Sequence, residues 1–134
     1  MVTVLANGCF DILHVGHVAH LRSARELGDR LVVALTVDEA VTAEKGPGRP
    51  INTWEHRAAV LMELRCVDDV VRSKSGVDAI ATVKPNLFVK GSDYLLDPMI
   101  EETAACEKVG AKLYFTTTAK FSTAGIIERV KKCT

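Results

Sequence analysis

Two histidines frame a glycine in the segment NGCFDILHVGH, residues 7–17. His14 and His17 are three residues apart, so both can lie on one side of the first turn of a helix. Their imidazoles can donate hydrogen bonds, and a helix N-terminus adds N–H groups and a positive dipole end. Gly16 lets a ligand approach the backbone closely. The segment therefore predicts a site for phosphate oxygens.

Other chemistries fit these residues less well. A zinc site would need a third ligand at suitable spacing, and the sequence offers none, so we predict no metal held by the protein. The glycine-rich patterns of dinucleotide-binding and P-loop proteins are also absent. A purely structural histidine pair, bonded to the backbone, is the alternative.

The composition excludes some partners. The 134 residues carry 17 Lys and Arg against 17 Asp and Glu, which argues against bulk electrostatic binding to nucleic acid or membrane. No apolar run approaches the ~20 residues that span a bilayer. The four cysteines form no C-x-x-C pair and are interpreted as reduced thiols. We expect one cytoplasmic domain, residues 1–134.

The elements that position the histidines follow from apolar runs. Residues 2–6 and 31–37 are rich in β-branched side chains and predict buried parallel strands. A helix over residues 15–27, ended by Gly28, lies between them. A helix capped by Asn52 and Glu55 follows, with an apolar stripe that includes Trp54 and Met62.

Further strands are predicted at residues 68–73, 86–91 and 111–117, and further helices at 76–83, 98–109 and after Ser122. Strands that alternate with helices predict an α/β fold: a single doubly wound, Rossmann-like domain with a five-stranded parallel sheet flanked by helices. Ligands of such sheets bind beyond the carboxyl ends of the strands. Polar clusters follow four of the predicted strands, so we expect them to meet at one edge.

The residues Gly8, Phe10, Asp11, His14, Gly16 and His17 spell G-x-F-D-x-x-H-x-G-H. This pattern resembles the signature of the cytidylyltransferase-like nucleotidyltransferases. The segments KGPGRPIN, EHRAAVL, VKPNLFVKGSDY and STAGII follow in that family's order and extend the resemblance over nearly the whole chain. Within the family, the resemblance is strongest to the stand-alone adenylyltransferases of heptose 1-phosphate.

The resemblance implies roles for particular residues. His14, His17 and Lys45 would be catalytic. Asp11, Asp38 and Arg57 would bind the phosphorylated acceptor or support the phosphate site. The nucleotide would be bound by nine residues: Gly8, Cys9, Phe10, Gly16, Lys90, Gly91, Asp93, Ser122 and Thr123.

The resemblance also implies a reaction. A nucleoside triphosphate, with ATP favoured, and a sugar phosphate would yield a nucleotide-linked sugar and pyrophosphate. Mg²⁺ would arrive with the triphosphate. A polyol-phosphate cytidylyltransferase using CTP is the alternative, and a sensor without turnover is a more distant one. Members of the family are commonly dimers, so a homodimer is expected.

Several of these residues have simpler interpretations. Asp11 could be a turn residue, Ser122 a plain N-cap, and Lys45 with Arg49 solvated loop charges. Glu55 is interpreted as a cap partner, His20 and His56 as surface residues, and Trp54 and Met62 as core.

Overall fold

A computed structural model describes residues 1–91, 94, 97–117 and 122–133. Its strands are β1 (Thr3–Gly8), β2 (Arg30–Thr36), β3 (Asp69–Ser73), β4 (Leu87–Lys90) and β5 (Lys112–Phe115). Its helices are α1 (Val15–Glu26), α2 (Asp38–Lys45), α3 (Trp54–Met62), α4 (Gly76–Val83), α5 (Ile100–Val109) and α6 (Thr123–Lys132). The five predicted strands and the predicted fold class are confirmed.

All strand pairs are parallel, and the strands lie in the order β3-β2-β1-β4-β5. The chain moves outward from β1 to β3 on one side and then returns to β4 on the other side of β1. The loops after β1 and β4 therefore diverge and leave a crevice at the carboxyl edge. This is the edge at which the sequence predicts the polar clusters.

Alternate side chains of the central strands enter two cores, one on each face of the sheet. Val4 and Ala6 pack in one core with Leu21 of α1 and Leu61 of α3. Leu5 packs in the other core with residues of α4 and α5. β2 is buried from Leu31 to Thr36, as a strand covered on both faces must be. The helix layers thus hold the sheet, and with it the crevice, in place.

Three details correct the sequence-based expectations. α2 was not predicted, because only Val41 of its eight residues is buried and no side chain caps its start. The N-cap of α3 is Thr53, whose hydroxyl accepts from the His56 N–H at 3.4 Å, and not Asn52. Met62 is 48% exposed and does not belong to the core.

None of the helices in the described part of the chain is both long enough and apolar enough to cross a membrane.

Candidate active site

A cleft of about 380 Å³ lies at the carboxyl edge of the sheet, a size typical of sites for small molecules. Its walls come from the loops after β1 and β4, from α2 and the loop after it, and from the start of α6. Twelve predicted site residues line it: Gly8, Cys9, Phe10, Asp11, His14, Gly16, His17, Lys45, Lys90, Gly91, Ser122 and Thr123. The expected convergence is therefore confirmed, whereas the role of each residue stays a prediction.

The turn between β1 and α1 is strained. Phe10 and Ile12 take left-handed backbone conformations, with φ of 44° and 50°, which cost non-glycine residues roughly 1–3 kcal/mol each. Phe10 is 8% exposed and packs in the core. Its ring meets the His17 ring edge-on, with the two ring centroids 5.4 Å apart. A Cβ at Gly8 would lie 2.9 Å from that ring, so this position requires glycine. Core packing thus stabilises a turn that directs polar groups into the cleft.

His14 and His17 cap the helix that carries them. His14 is the N-cap of α1, and its Nδ1 accepts from the Gly16 N–H at 3.1 Å. The His17 Nδ1 accepts from the His14 N–H at 3.2 Å. The two rings stack, with centroids 3.7 Å apart and planes at 21°. This reciprocal capping box fixes both rings before any ligand arrives.

The capping bonds also determine where each ring carries its proton. The pKa of His17 is lowered to about 4, first by burial and then by the positive charges of His14, His20 and Lys45. Burial lowers the pKa of His14 as well. A neutral imidazole has one donor and one acceptor nitrogen, and each Nδ1 already accepts. Each Nε2 therefore carries the proton and is the donor that the ring offers.

Asp11 lines the cleft, but its carboxylate is engaged by the loop after α2. The two oxygens accept from the backbone N–H groups of Ile51 (2.6 Å) and Asn52 (3.0 Å). The Arg49 guanidinium lies 3.5 Å from the same group, and Asp11 is 2% exposed. The side chain therefore joins two walls of the cleft. A contact with acceptor or α-phosphate stays a prediction.

Arg57 and Asp38 do not lie in the cleft wall. Arg57 is 1% exposed and lies behind the wall, where its guanidinium donates to the carbonyls of Cys9, Thr36 and Asn52 at 2.8–3.0 Å. Asp38 accepts from it at 2.6 Å. This buried cation joins the ends of β1 and β2 to the loop before α3. Direct binding of substrate by the pair stays a prediction.

The cleft wall formed by the end of α2, opposite the histidines, is exposed. Lys45 is the last residue of α2, where sequence analysis placed a loop, and Glu44 precedes it in the cleft. Gly46 and Gly48 follow with φ of 97° and 87°, so the chain turns there in conformations that favour glycine. Burial and the Glu44 carboxylate raise the pKa of the Cys9 thiol, which is therefore protonated near pH 7.

The third side of the cleft is formed after β4 and at α6. The Lys90 ammonium lies 4.3 Å from the centre of the Tyr94 ring. Ser122 is the N-cap of α6 and accepts from the Gly125 N–H at 3.0 Å, which confirms the predicted capping role. The Thr123 hydroxyl donates to the Asp11 carbonyl at 2.7 Å. Asp93, predicted to bind the nucleotide, lies outside the described residues.

Seven residues that line the cleft are not among the predicted site residues: Asn7, His20, Thr36, Glu44, Arg49, Tyr94 and Ala124. His20, interpreted as a surface residue, lines the cleft, and its Nδ1 lies 2.7 Å from the Thr116 hydroxyl. Its spacing from His17 repeats the 14–17 interval, a signal that the sequence did contain. Asn7 is the penultimate residue of β1. With the amide oriented to satisfy its neighbours, its nitrogen donates to the Ser73 hydroxyl and to the Ala34 carbonyl, both at 3.0 Å, and its oxygen accepts from the Gly76 N–H at 3.2 Å. It fixes the cleft floor to three neighbouring elements.

Among the described residues, no cluster of three or more His, Cys, Asp or Glu side chains could hold a metal ion. The cleft instead presents two helix N-termini, two imidazole N–H donors and two lysines. Such a donor set is complementary to a polyanion, most simply a chain of phosphate groups.

Comparisons with known proteins agree with this chemistry. The model of the family described as Cytidylyltransferase-like matches residues 5–129. The chain is 43% identical over 131 residues to the bifunctional protein HldE of Pseudomonas fluorescens (strain Pf0-1), and 42% identical to that of Pseudomonas putida (strain GB-1). Each alignment covers 96% of this chain but only 28% of the relative's length.

A solved structure is also similar. The lipopolysaccharide core biosynthesis protein from Thermoplasma volcanium GSS1 superposes with a TM-score of 0.75 at 31% sequence identity. The match covers 90% of this chain and 99% of that one.

Proposed function

The chain belongs to the cytidylyltransferase-like family, and from that premise we propose that it is a nucleotidyltransferase that transfers the adenylyl group of ATP to heptose 1-phosphate. Pyrophosphate is the second product. One observation carries the proposal: segments from four places in the chain converge on one cleft whose donors suit a triphosphate. The heptose acceptor rests on the resemblance of NGCFDILH, KGPGRPIN and LFVKGSDY to the adenylyltransferases of that sugar.

The chemistry proposed for this cleft needs no strong general base. An oxygen of the sugar phosphate is ionised near neutral pH and attacks the α-phosphorus of ATP. A new P–O bond forms, and the bond from that phosphorus to the oxygen bridging the β-phosphate breaks, so pyrophosphate leaves with the electron pair. Catalysis then consists of alignment and stabilisation of charge at the α-phosphate.

The residues divide this work between them. The Nε2 donors of His14 and His17 would meet the α-phosphate oxygens, where negative charge grows in the transition state. Lys45 would neutralise charge from the opposite wall. Ser122 and Thr123, at the positive end of the α6 dipole, would bind the leaving phosphates. Lys90 and Gly91 would border the nucleoside.

Mg²⁺ belongs to the substrate in this proposal and enters with ATP. A cleft with few carboxylates fits an ion carried mainly by phosphate oxygens and water. We also propose that residues 1–134 form one nucleotidyltransferase domain, that the protein is a homodimer, and that it works in the cytoplasm.

A panel of substrates tests the proposal. Pyrophosphate release is measured with ATP, CTP, GTP and UTP, each against heptose 1-phosphate, other sugar 1-phosphates and glycerol 3-phosphate, with Mg²⁺ present. We expect release with ATP and heptose 1-phosphate. Release only with CTP and glycerol 3-phosphate would establish the polyol-phosphate alternative, and nucleotide binding without release on any acceptor would contradict the enzyme.

A further inference from the structure

His20 has no part in the mechanism above, yet it lines the same cleft. It lies one turn beyond His17 on α1, about 4.5 Å further along the helix axis. Its Nδ1 lies 2.7 Å from the hydroxyl of Thr116. A hydrogen bond of that length fixes the plane and the direction of the ring.

The fold holds Thr116 firmly. Thr116 directly follows β5, is 3% exposed, and donates its backbone N–H to the Lys90 carbonyl at 2.9 Å. The hydroxyl that orients His20 is therefore attached to the sheet. The buried Thr116 hydroxyl therefore fixes the orientation of an imidazole that lines the cleft.

The arrangement repeats what His14 and His17 do. In all three rings Nδ1 bonds to the protein, and all three residues line the cleft. The three histidines follow one another at intervals of three residues along one helix face. The charge of His20 also lowers the pKa of His17, as expected for neighbouring rings.

We propose that His20 binds the pyrophosphate part of the nucleotide through Nε2, a proposal that rests on the proposed function. In the proposed function His14 and His17 bind the α-phosphate, and His20 lies in the same cleft one turn further along α1, within reach of a longer phosphate chain. The start of α6 borders the same cleft with Ser122 and Thr123, and both favour anions.

Binding of inorganic pyrophosphate and of AMP, measured by calorimetry, tests the proposal. His20→Asn retains an amide near the position of Nδ1 for Thr116 but lacks anything at Nε2. We expect pyrophosphate to bind about tenfold more weakly to this variant, as for a lost hydrogen bond to a charged group, and AMP to bind as in the wild type. His20→Gln, whose amide reaches the position of Nε2, should bind pyrophosphate more tightly than His20→Asn.

Two further variants complete the design. His56→Asn makes the same change at an exposed position outside the cleft and should leave both affinities unchanged. Thr116→Val removes only the hydroxyl that orients His20, and it should weaken the binding of pyrophosphate by a smaller factor than His20→Asn does. If His20→Asn fails to fold, Thr116→Val provides the test in its place.

Unchanged pyrophosphate affinity in His20→Asn, or an equal loss for AMP and pyrophosphate, would overturn the proposal, because the first denies contact and the second indicates a structural role. A wild-type protein that binds neither ATP nor pyrophosphate would instead contradict the proposed function.

Discussion

The two long walls of the cleft are built in opposite ways. The histidine wall, formed by Phe10, Asp11, His14 and His17, is largely withdrawn from solvent, and its side chains bond to backbone or pack in the core. The lysine wall, formed by Glu44 and Lys45, is exposed at the end of α2. The histidine wall is thus set before ligand binding, whereas the lysine wall contributes charge with little structural role. Substitutions in the two walls should therefore differ in kind.

The largest effect is expected from Arg57, which supports the histidine wall from behind. Arg57→Met should lower the free energy of unfolding by ~3–5 kcal/mol, because three carbonyls and Asp38 lose their buried partner. Urea unfolding measures the change. Arg72→Met is the matched control: Arg72 is exposed, lies 3.7 Å from Glu55 and stacks over the Trp54 ring at 3.9 Å, and its loss should cost at most ~1–2 kcal/mol. If the two variants lost similar free energies of unfolding, the burial of Arg57 would not explain its contribution to stability.

His14→Asn tests the histidine wall itself. Asparagine is a good N-cap, so α1 should keep its start while the Nε2 donor disappears. We expect kcat to fall about 10²–10³-fold, as for other single donors to a transition state, with Tm nearly unchanged. His14→Ala should lose activity and, in addition, about 1 kcal/mol of stability through the lost cap. Near-wild-type kcat in His14→Asn would remove the role assigned to the ring.

Lys45→Met tests the lysine wall. Because Lys45 is exposed, its charge should act on the ligand through a partly aqueous medium, so we expect roughly a 10–100-fold loss of kcat/KM. The melting temperature should stay within a degree or two of the wild type. The comparison between the walls would fail if this variant melted as early as Arg57→Met.

The smallest effect concerns acid stability. The pKa of His17 is about 4 in the fold against an ordinary value of 6.5. The unfolded chain thus binds the proton first, so the contribution of the neutral ring is full above pH 6.5 and is lost as the pH falls toward 4. Urea unfolding at pH 7 and pH 5 should show a smaller acid-induced loss for His17→Gln than for the wild type. Equal losses would mean that the ring titrates normally.

The sequence was sufficient for the sheet and for the location of the cleft. The short, β-branched apolar run 31–37 is typical of a strand covered on both faces, and polar residues directly after parallel strands meet at the carboxyl edge. The place of residues 8–17 at the cleft was equally predictable, because they directly follow a buried strand and open a helix. Their roles in binding stay predictions.

Other features depended on tertiary contacts that no local pattern encodes. Hydrophobicity assigned Met62 to the core of α3, whereas the helix buries Arg57 and leaves Met62 exposed. The substrate role of Arg57 came from the family resemblance, which does not show that the guanidinium is engaged by backbone carbonyls. Asn52 and Thr53 are both good caps; in the fold the Asn52 N–H donates to Asp11, and Thr53 caps the helix. The three-residue spacing from His17 pointed to the helix face of His20, but its partner Thr116 lies 96 residues away and could not be predicted from any local pattern.

Phosphorus NMR of the complete reaction tests the central claim most directly. The protein is mixed with MgATP and heptose 1-phosphate, and the products are identified by their signals. Attack at the α-phosphate, to which the histidine wall is assigned, predicts equal amounts of pyrophosphate and an ADP-linked sugar with a new pair of diphosphate resonances. ADP with a doubly phosphorylated sugar, or ADP with inorganic phosphate, would place the attack at the γ-phosphate and contradict the account.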